Sequence, residues 1–126
     1  MIVVATDAPA SPRLLERMAK RTAFGLARTG GIGEDTSGDF AIAFSTTNRT
    51  PQLKQRPATP VRNIALVSED PWTVSEFFLA VVEAVEEAIL NSLVAAETMT
   101  GRDDHTVHAL PRDELGELLR YYRVVR

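Results

Sequence analysis

The residues best suited to chemistry lie in one stretch, Thr29 to Asn48. Its first part is a glycine-rich acidic loop that ends in Ser37-Gly38-Asp39, and its second part, Phe40 to Thr46, is predicted to be a strand. A loop that bears polar groups and leads into a rigid strand commonly presents catalytic side chains. Ser37 and Asp39 offer a hydroxyl and a carboxylate there, although composition alone also fits an ordinary turn entering a strand.

The glycine loop does not fit a phosphate site. Gly30-Gly31-Ile32-Gly33 lacks the Lys-Ser/Thr pair of a P-loop, and it follows a predicted helix, whereas dinucleotide loops follow a strand. Its acids Glu34, Asp35 and Asp39 would also repel phosphate. The sequence has no Gly-x-Ser-x-Gly elbow, which argues against a Ser-His-Asp hydrolase.

The two histidines, His105 and His108, give little support for metal or acid–base chemistry. On a strand, their spacing would direct them to opposite faces. Asp103 and Asp104 lie nearby, but the sequence has no cysteine and offers no evident third ligand. We therefore predict neither a metal nor a cofactor.

Composition is that of an ordinary globular protein. The chain has 126 residues, is 44% hydrophobic and 25% charged, and is long enough for one domain over residues 1–126. A net charge of −3 gives no reason to expect nucleic acid or an anionic membrane as a partner. No segment has the length and apolarity of a membrane span, and no signal-peptide pattern stands at the front of the sequence. We expect a cytoplasmic location, with any signal peptide of a longer chain lying before Met1.

The first six residues are predicted to help position Ser37 and Asp39. Met1 to Thr6 is a β-branched apolar run that Asp7-Ala8-Pro9 ends, which predicts a buried strand. If this strand and the strand after Asp39 are neighbours, the starts of the two strands lie together. An amino-terminal nucleophile can use its own α-amine, with a pKa of about 8, as the base. Ser37 and Asp39 would then orient that amine.

A helix is predicted between the two strands. Ser11-Pro12 gives it a serine N-cap and a proline at the first helical position, and it should end near Thr29-Gly30. Gly25 within the helical pattern predicts close packing on the sheet.

A longer helix is predicted after a proline-stiffened connection over Asn48 to Pro60. Asp70-Pro71 and the capping box Thr73-x-x-Glu76 offer two overlapping starts, and the helix should run to about Met99. Because it is apolar around most of its circumference, we expect it to be the main cover of the sheet.

The remaining elements are short. Val61 to Val67 and His105 to Leu110 are predicted strands, and Pro111 opens a last helix. The buried face of that helix should carry four large side chains, those of Leu115, Leu118, Leu119 and Tyr122. The element order β-α-β-β-α-β-α defines a mixed α/β fold.

Seven segments carry a specific resemblance over nearly the whole chain: Ile2 to Pro9, Arg17 to Arg21, Gly25 to Gly30, Ser37 to Asp39, Ala43 to Asn48, Val85 to Ala88 and Asn91 to Leu93. They closely resemble the β-subunit of the DmpA-type aminopeptidases, which include L-aminopeptidase/D-esterase enzymes and β-peptidyl aminopeptidases. The resemblance implies the C-terminal half of an αββα sandwich related to the N-terminal-nucleophile hydrolases. It also implies a precursor that cleaves itself before a serine, which becomes the first residue of the β-subunit and the nucleophile. The family's serine and acid ahead of the next core strand correspond to Ser37 and Asp39.

The chain departs from the family's pattern at its start. The family motif reads Ser-Ile-x-Ile-Val-Val-Ala-Thr-Asp, and Met1 falls on the x, so the nucleophile would lie two residues before Met1. We therefore expect Met1 to be an internal methionine of a longer precursor. Residues 1–126 would be its β-subunit region, inactive without the nucleophile and the α-subunit.

The resemblance implies an aminopeptidase that releases N-terminal residues from peptides, amides or esters through an acyl-enzyme. The α-subunit of the same precursor would be its partner and would supply an asparagine and a tyrosine to the site, and αβ units would form a homo-oligomer. Two alternatives stay open. One is a non-catalytic orphan fragment or subunit that only assembles with a partner, and the other is an acyltransferase related to ornithine acetyltransferases. Those enzymes use a threonine nucleophile, so the Ser37-Gly38-Asp39 context favours the peptidase.

Overall fold

The structure is a computed structural model, and it describes residues 1–36, 38–49 and 63–124. The chain divides into two compact units, Met1–Glu86 and Glu87–Arg126. Helices and strands are both present in the described residues: β1 (Ile2–Thr6), α1 (Pro12–Arg28), β2 (Ala41–Ser45), α2 (Pro71–Ala95), β3 (Met99–Thr100), a 3₁₀ turn (Arg102–Asp104), β4 (Thr106–Val107) and α3 (Arg112–Tyr121). The fold is therefore mixed α/β, as predicted.

The first unit is built on the parallel pair β1–β2. Ile2 lies opposite Ala41, and the register continues to Thr6 opposite Ser45. β-Branched residues dominate β1 and favour an extended backbone with side chains on alternate faces. Because the pair is parallel, both strands begin at the same edge of the sheet, which meets the condition under which their starts lie together.

Helix α1 covers one face of this pair. It begins as predicted, since the Ser11 hydroxyl accepts a hydrogen bond from the Leu14 amide at 3.0 Å and Pro12 occupies the first turn. Thr29 follows its last residue, again as predicted. Leu14 is completely buried and Met18 nearly so, which places them in the core of the first unit.

Helix α2 begins at Pro71 and is capped by Asp70. The Asp70 Oδ1 atom accepts hydrogen bonds from the Trp72 and Thr73 amides, both at 3.0 Å. The Thr73 hydroxyl donates to the other oxygen of Asp70 at 2.7 Å, so the predicted capping box at Thr73 is wrong. The helix ends at Ala95 and does not reach Met99, because Met99 and Thr100 pair with β4.

Helix α2 packs on α1, so two predictions are wrong: that α2 is the main cover of the sheet and that Gly25 packs on the sheet. A β-carbon added at Gly25 would lie 2.7 Å from both the Val82 carbonyl oxygen and the Val85 Cβ. The glycine therefore permits the close approach of the two helices. The Arg21 guanidinium lies 4.1 Å from the centroid of the Phe78 ring and adds a cation–π contact between them.

The second unit holds the end of α2, the antiparallel pair β3–β4, and α3. The strand predicted over His105 to Leu110 is shorter than expected, because only Thr106 and Val107 find partners in β3. Helix α3 follows Pro111 as predicted, but its predicted buried face is wrong. Leu118 is 54% exposed and Tyr122 is 71% exposed, because the described residues of this unit supply no layer over them.

The strand predicted over Val61 to Val67 is absent from its described part, residues 63–67. The Val67 amide donates to the Pro9 carbonyl at 3.0 Å, and the Asn48 side chain donates to the Ala65 carbonyl at 2.9 Å. These are single bonds and not a strand ladder. Residues 61–62, and the predicted connection from residue 50 onward, lie outside the described residues. Over the described ranges, no helix is long and apolar enough to cross a bilayer.

Candidate active site

Asp39 lies two residues before β2, at the edge of the sheet where β1 also begins. Its neighbour Phe40 joins the two strands, since the Phe40 carbonyl accepts a hydrogen bond from the Ile2 amide at 2.8 Å. The Asp39 side chain is exposed. The structure thus brings this predicted site residue to the start of the first strand.

Ser37 lies outside the described residues. Its neighbours Thr36 and Gly38 are described and are both exposed. The role of Ser37 beside Asp39 stays a prediction.

The glycine loop after α1 shapes the surroundings of Asp39. Gly30 and Gly33 have positive φ angles of 99° and 68°, a region that side chains disfavour. With Asp39, this loop lines a cleft of about 210 Å³. A second cleft of about 370 Å³, between α1 and the strand starts, is also bordered by Asp39. Asp39 therefore stands between two openings at one edge of the sheet.

The Asp39 carboxylate borders the larger cleft beside a cation, Lys20, that is already paired with another residue. Lys20 and Glu16 both line that cleft, and they form an ion pair at 2.6 Å with the i,i+4 spacing that favours such pairs on a helix. The hydrogen bond and charge of Lys20 lower the pKa of the Glu16 carboxyl below its usual value. Lys20 is thus engaged by Glu16, and the exposed carboxylate of Asp39 is suited to hold a protonated amine.

The face of the β1–β2 pair away from α1 is apolar and open. Its large side chains are between 44% and 75% exposed, and they are Val3, Phe40, Ile42 and Phe44. A contiguous apolar face of this kind is typical of a surface that another segment or chain covers.

The two histidines lie far along the chain from Asp39, and both are exposed in the second unit. Over the described residues, no group of three His, Cys, Asp or Glu side chains could hold a metal ion.

Sequence reasoning missed the hydroxyl residues at the opposite edge of the sheet, Ser45, Thr46 and Thr47. Their side chains bind carbonyl groups at the end of β1 and just after it. The available signal was a run of three hydroxyl residues directly after an apolar strand.

Comparison with solved structures identifies the class of protein. The chain is 39% identical to the L-aminopeptidase D-Ala-esterase/amidase of Ochrobactrum anthropi, described as a prototype for the serine aminopeptidases and a new variant of the N-terminal-nucleophile hydrolase fold. The TM-score is 0.82 over 96% of this chain and 33% of that chain. A β-aminopeptidase of a Burkholderia species is 36% identical, with a TM-score of 0.75 over 94% of this chain and 34% of its own. The predicted fold class is therefore confirmed.

The family follows from sequence. The model of peptidase family S58 matches residues 1–107, and the chain belongs to this family. It is 44% identical over 95% of its length to the β-peptidyl aminopeptidase BapA of Sphingosinicella xenopeptidilytica and 42% identical over 98% to that of Sphingosinicella microcystinivorans. It spans only 29% and 30% of these two relatives.

Proposed function

We propose that the chain is the β-subunit region of a self-processing serine aminopeptidase. The whole enzyme would release N-terminal residues from peptides, amides or esters. The observation that carries this proposal is the parallel register of β1 and β2, which sets the start of β1 beside Asp39. Membership of family S58 and identity to aminopeptidases support it.

The register indicates where a preceding serine would lie. Ile2 is opposite Ala41, so Met1 is level with Phe40, and the residue two positions before Met1 would be level with Gly38. Neighbouring strands are about 4.8 Å apart, so a residue level with Gly38 would be within reach of the residues that flank Gly38 in the sequence. A serine there would lie beside Gly38 and next to Asp39.

The proposed reaction uses the serine's own α-amine. The neutral amine accepts the hydroxyl proton as the serine oxygen attacks the substrate carbonyl, and the leaving amine then takes that proton. Asp39 would stabilise the ammonium that forms in between, since an opposite charge nearby favours the charged form. Water then attacks the acyl-enzyme while the α-amine accepts its proton. The serine oxygen leaves and takes that proton, and the carboxylic acid product is released.

The partner we propose is the α-subunit region of the same precursor. The open face of the β1–β2 pair is the surface available to it, because α1 already covers the other face. That region would also supply the oxyanion-stabilising group, as the family resemblance implies. The homo-oligomer of αβ units and the cytoplasmic location stay predictions.

The experiment compares Asp39→Asn with Asp35→Asn in the full-length protein, using amino-acyl p-nitroanilide hydrolysis and self-cleavage as readouts. Asp35 is an exposed acid of the same loop and serves as the matched control. We expect Asp39→Asn to lower kcat by at least about a hundredfold, the scale of a lost acid–base partner, and Asp35→Asn to leave it unchanged.

Two results would contradict the proposal. A wild-type full-length protein that neither cleaves itself nor hydrolyses the anilide would favour the orphan-subunit alternative. Acyl transfer from an N-acetylated amino acid to an added amine, without hydrolysis in its absence, would favour the acyltransferase.

A further inference from the structure

Polar contacts join β1 and β2 at the edge of the sheet opposite Asp39. The Ser45 hydroxyl donates to the Ala8 carbonyl at 2.6 Å, and the Thr47 hydroxyl donates to the Asp7 carbonyl. Between them, the Thr46 amide donates to the Thr6 carbonyl at 2.9 Å. Three successive residues of one strand end thus bind three successive carbonyls of the other. We call the Ser45 and Thr47 side-chain bonds the hydroxyl clamp.

The apolar pattern of the two strands does not fix their register by itself. β1 reads Ile-Val-Val-Ala and β2 reads Ala-Ile-Ala-Phe before their terminal hydroxyl residues, so both faces of each strand are apolar. A slip of two residues would keep every side chain on its own face, so the alternation of faces does not by itself exclude it. The hydroxyl clamp is different, because the same slip would break both bonds and leave at most one hydroxyl, that of Ser45 or Thr47, beside a carbonyl in the other's place.

A slip of β1 against β2 would move the proposed nucleophile away from Asp39. Two residues correspond to about 6.6 Å along a parallel strand, whereas a hydrogen bond needs about 3 Å. The residue two positions before Met1 would then move out of reach of Asp39. We propose that Ser45 and Thr47 are positioning residues that hold the register of β1 and β2 and so align the nucleophile with Asp39. This inference rests on the proposed function for its catalytic part.

The first arm of the test measures register without using activity. Residues 1–126 contain no cysteine, and a disulfide mapped by mass spectrometry is assigned to its own two peptides, so each introduced pair can be identified in the full-length protein. Val3→Cys with Ile42→Cys joins register partners, whose spacing of about 4.8 Å permits a disulfide. Val3→Cys with either Phe40→Cys or Phe44→Cys is offset by two residues, or about 8 Å, which is too far to bridge. The full-length protein is refolded in a glutathione redox buffer, and the disulfides are mapped by mass spectrometry.

With Ser45 and Thr47 intact, we expect only the pair at Val3 and Ile42 to cross-link. In the double variant Ser45→Ala, Thr47→Val, we expect an offset pair to cross-link as well. In Ser45→Thr, Thr47→Ser, which keeps both hydroxyls, the offset cross-link should disappear again.

The second arm measures kcat on an amino-acyl p-nitroanilide. We expect the Ala/Val double variant to lose at least about tenfold in kcat with a smaller change in KM, and the Thr/Ser variant to stay within about twofold of wild type. Val85→Ala, a core change away from the strands, is the stability control and should retain kcat below its melting temperature. If Ser45 and Thr47 had only a structural role, the double variant Ser45→Ala, Thr47→Val would melt at a lower temperature but keep its kcat.

Each result decides the inference. Cross-linking only at Val3 and Ile42 in the Ala/Val variant overturns the clamp, whatever happens to kcat. An offset cross-link with unchanged kcat overturns the catalytic role. If the wild-type protein has no hydrolytic activity, the proposed function fails and the catalytic role with it, while the cross-links still decide the clamp.

Discussion

Gly25→Ala tests how the two long helices pack. A β-carbon at this position would lie 2.7 Å from the Val82 carbonyl oxygen, 2.7 Å from the Val85 Cβ and 2.9 Å from its Cγ1. Two of these three atoms are fixed to the backbone of α2, so a change of side-chain rotamer does not remove the clash. Helix α2 has to move away from α1 to accept the methyl group.

Two opposing effects set the magnitude. Alanine favours a helix interior over glycine by about 1 kcal/mol, which stabilises α1. Overpacking a closely packed position costs about 1–3 kcal/mol, and a clash with backbone atoms belongs at the upper end. The net expectation is a loss of roughly 1–2 kcal/mol in the free energy of unfolding, or a fall in Tm of roughly 5 °C.

The assay is urea denaturation followed by far-ultraviolet circular dichroism, with Gly116→Ala as the matched control. Gly116 lies within α3, where an added β-carbon would have the Arg120 side chain 3.7 Å away as its nearest neighbour, an ordinary contact. The same substitution there should stabilise the protein by about 0.5–1 kcal/mol. If Gly25→Ala is as stable as wild type or more so, the helix crossing described above is refuted.

Two further predictions concern stability. The amide and hydroxyl of Thr73 lower the pKa of the Asp70 carboxyl from 3.8 to about 2, so its charge stabilises the folded state above pH 4 and this contribution is lost as the pH falls through 2. Asp70→Asn should therefore be less stable than wild type at pH 6, and this gap should close in thermal melts as the pH falls from 4 to below 2; a gap that is unchanged at about pH 1 would contradict this. Leu14→Ala, at a completely buried position, should cost about 2–5 kcal/mol by urea denaturation, and a loss below 1 kcal/mol would contradict its place in the core.

Local signals in the sequence predicted the elements that hold the site. Ser11-Pro12 fixed the start of α1, because capping depends only on residues within one turn. The β-branched run before Asp7 predicted β1, whereas its pairing with β2 entered only as a condition, which the parallel register now meets. The resemblance of the segments around Ser37 and Asp39 pointed to the family, which the comparisons confirm.

What the sequence did not predict depends on distant partners. Gly25 was expected against the sheet, but its neighbours Val82 and Val85 are almost sixty residues away. The Glu69 carboxylate accepts from Ser11 and from Arg13, the latter at 2.8 Å, and no local pattern links these residues. The predicted buried face of α3 failed for the same reason, because an amphipathic pattern identifies an apolar face without identifying what covers it.

The most direct test of the central claim is the amino-terminal sequence of the subunits made by the full-length protein, read by Edman degradation or mass spectrometry. We expect self-cleavage that yields a subunit beginning with serine two residues before Met1, with hydrolytic activity appearing together with that subunit. An active full-length protein that stays uncleaved, or one whose new amino terminus is not that serine, would contradict it.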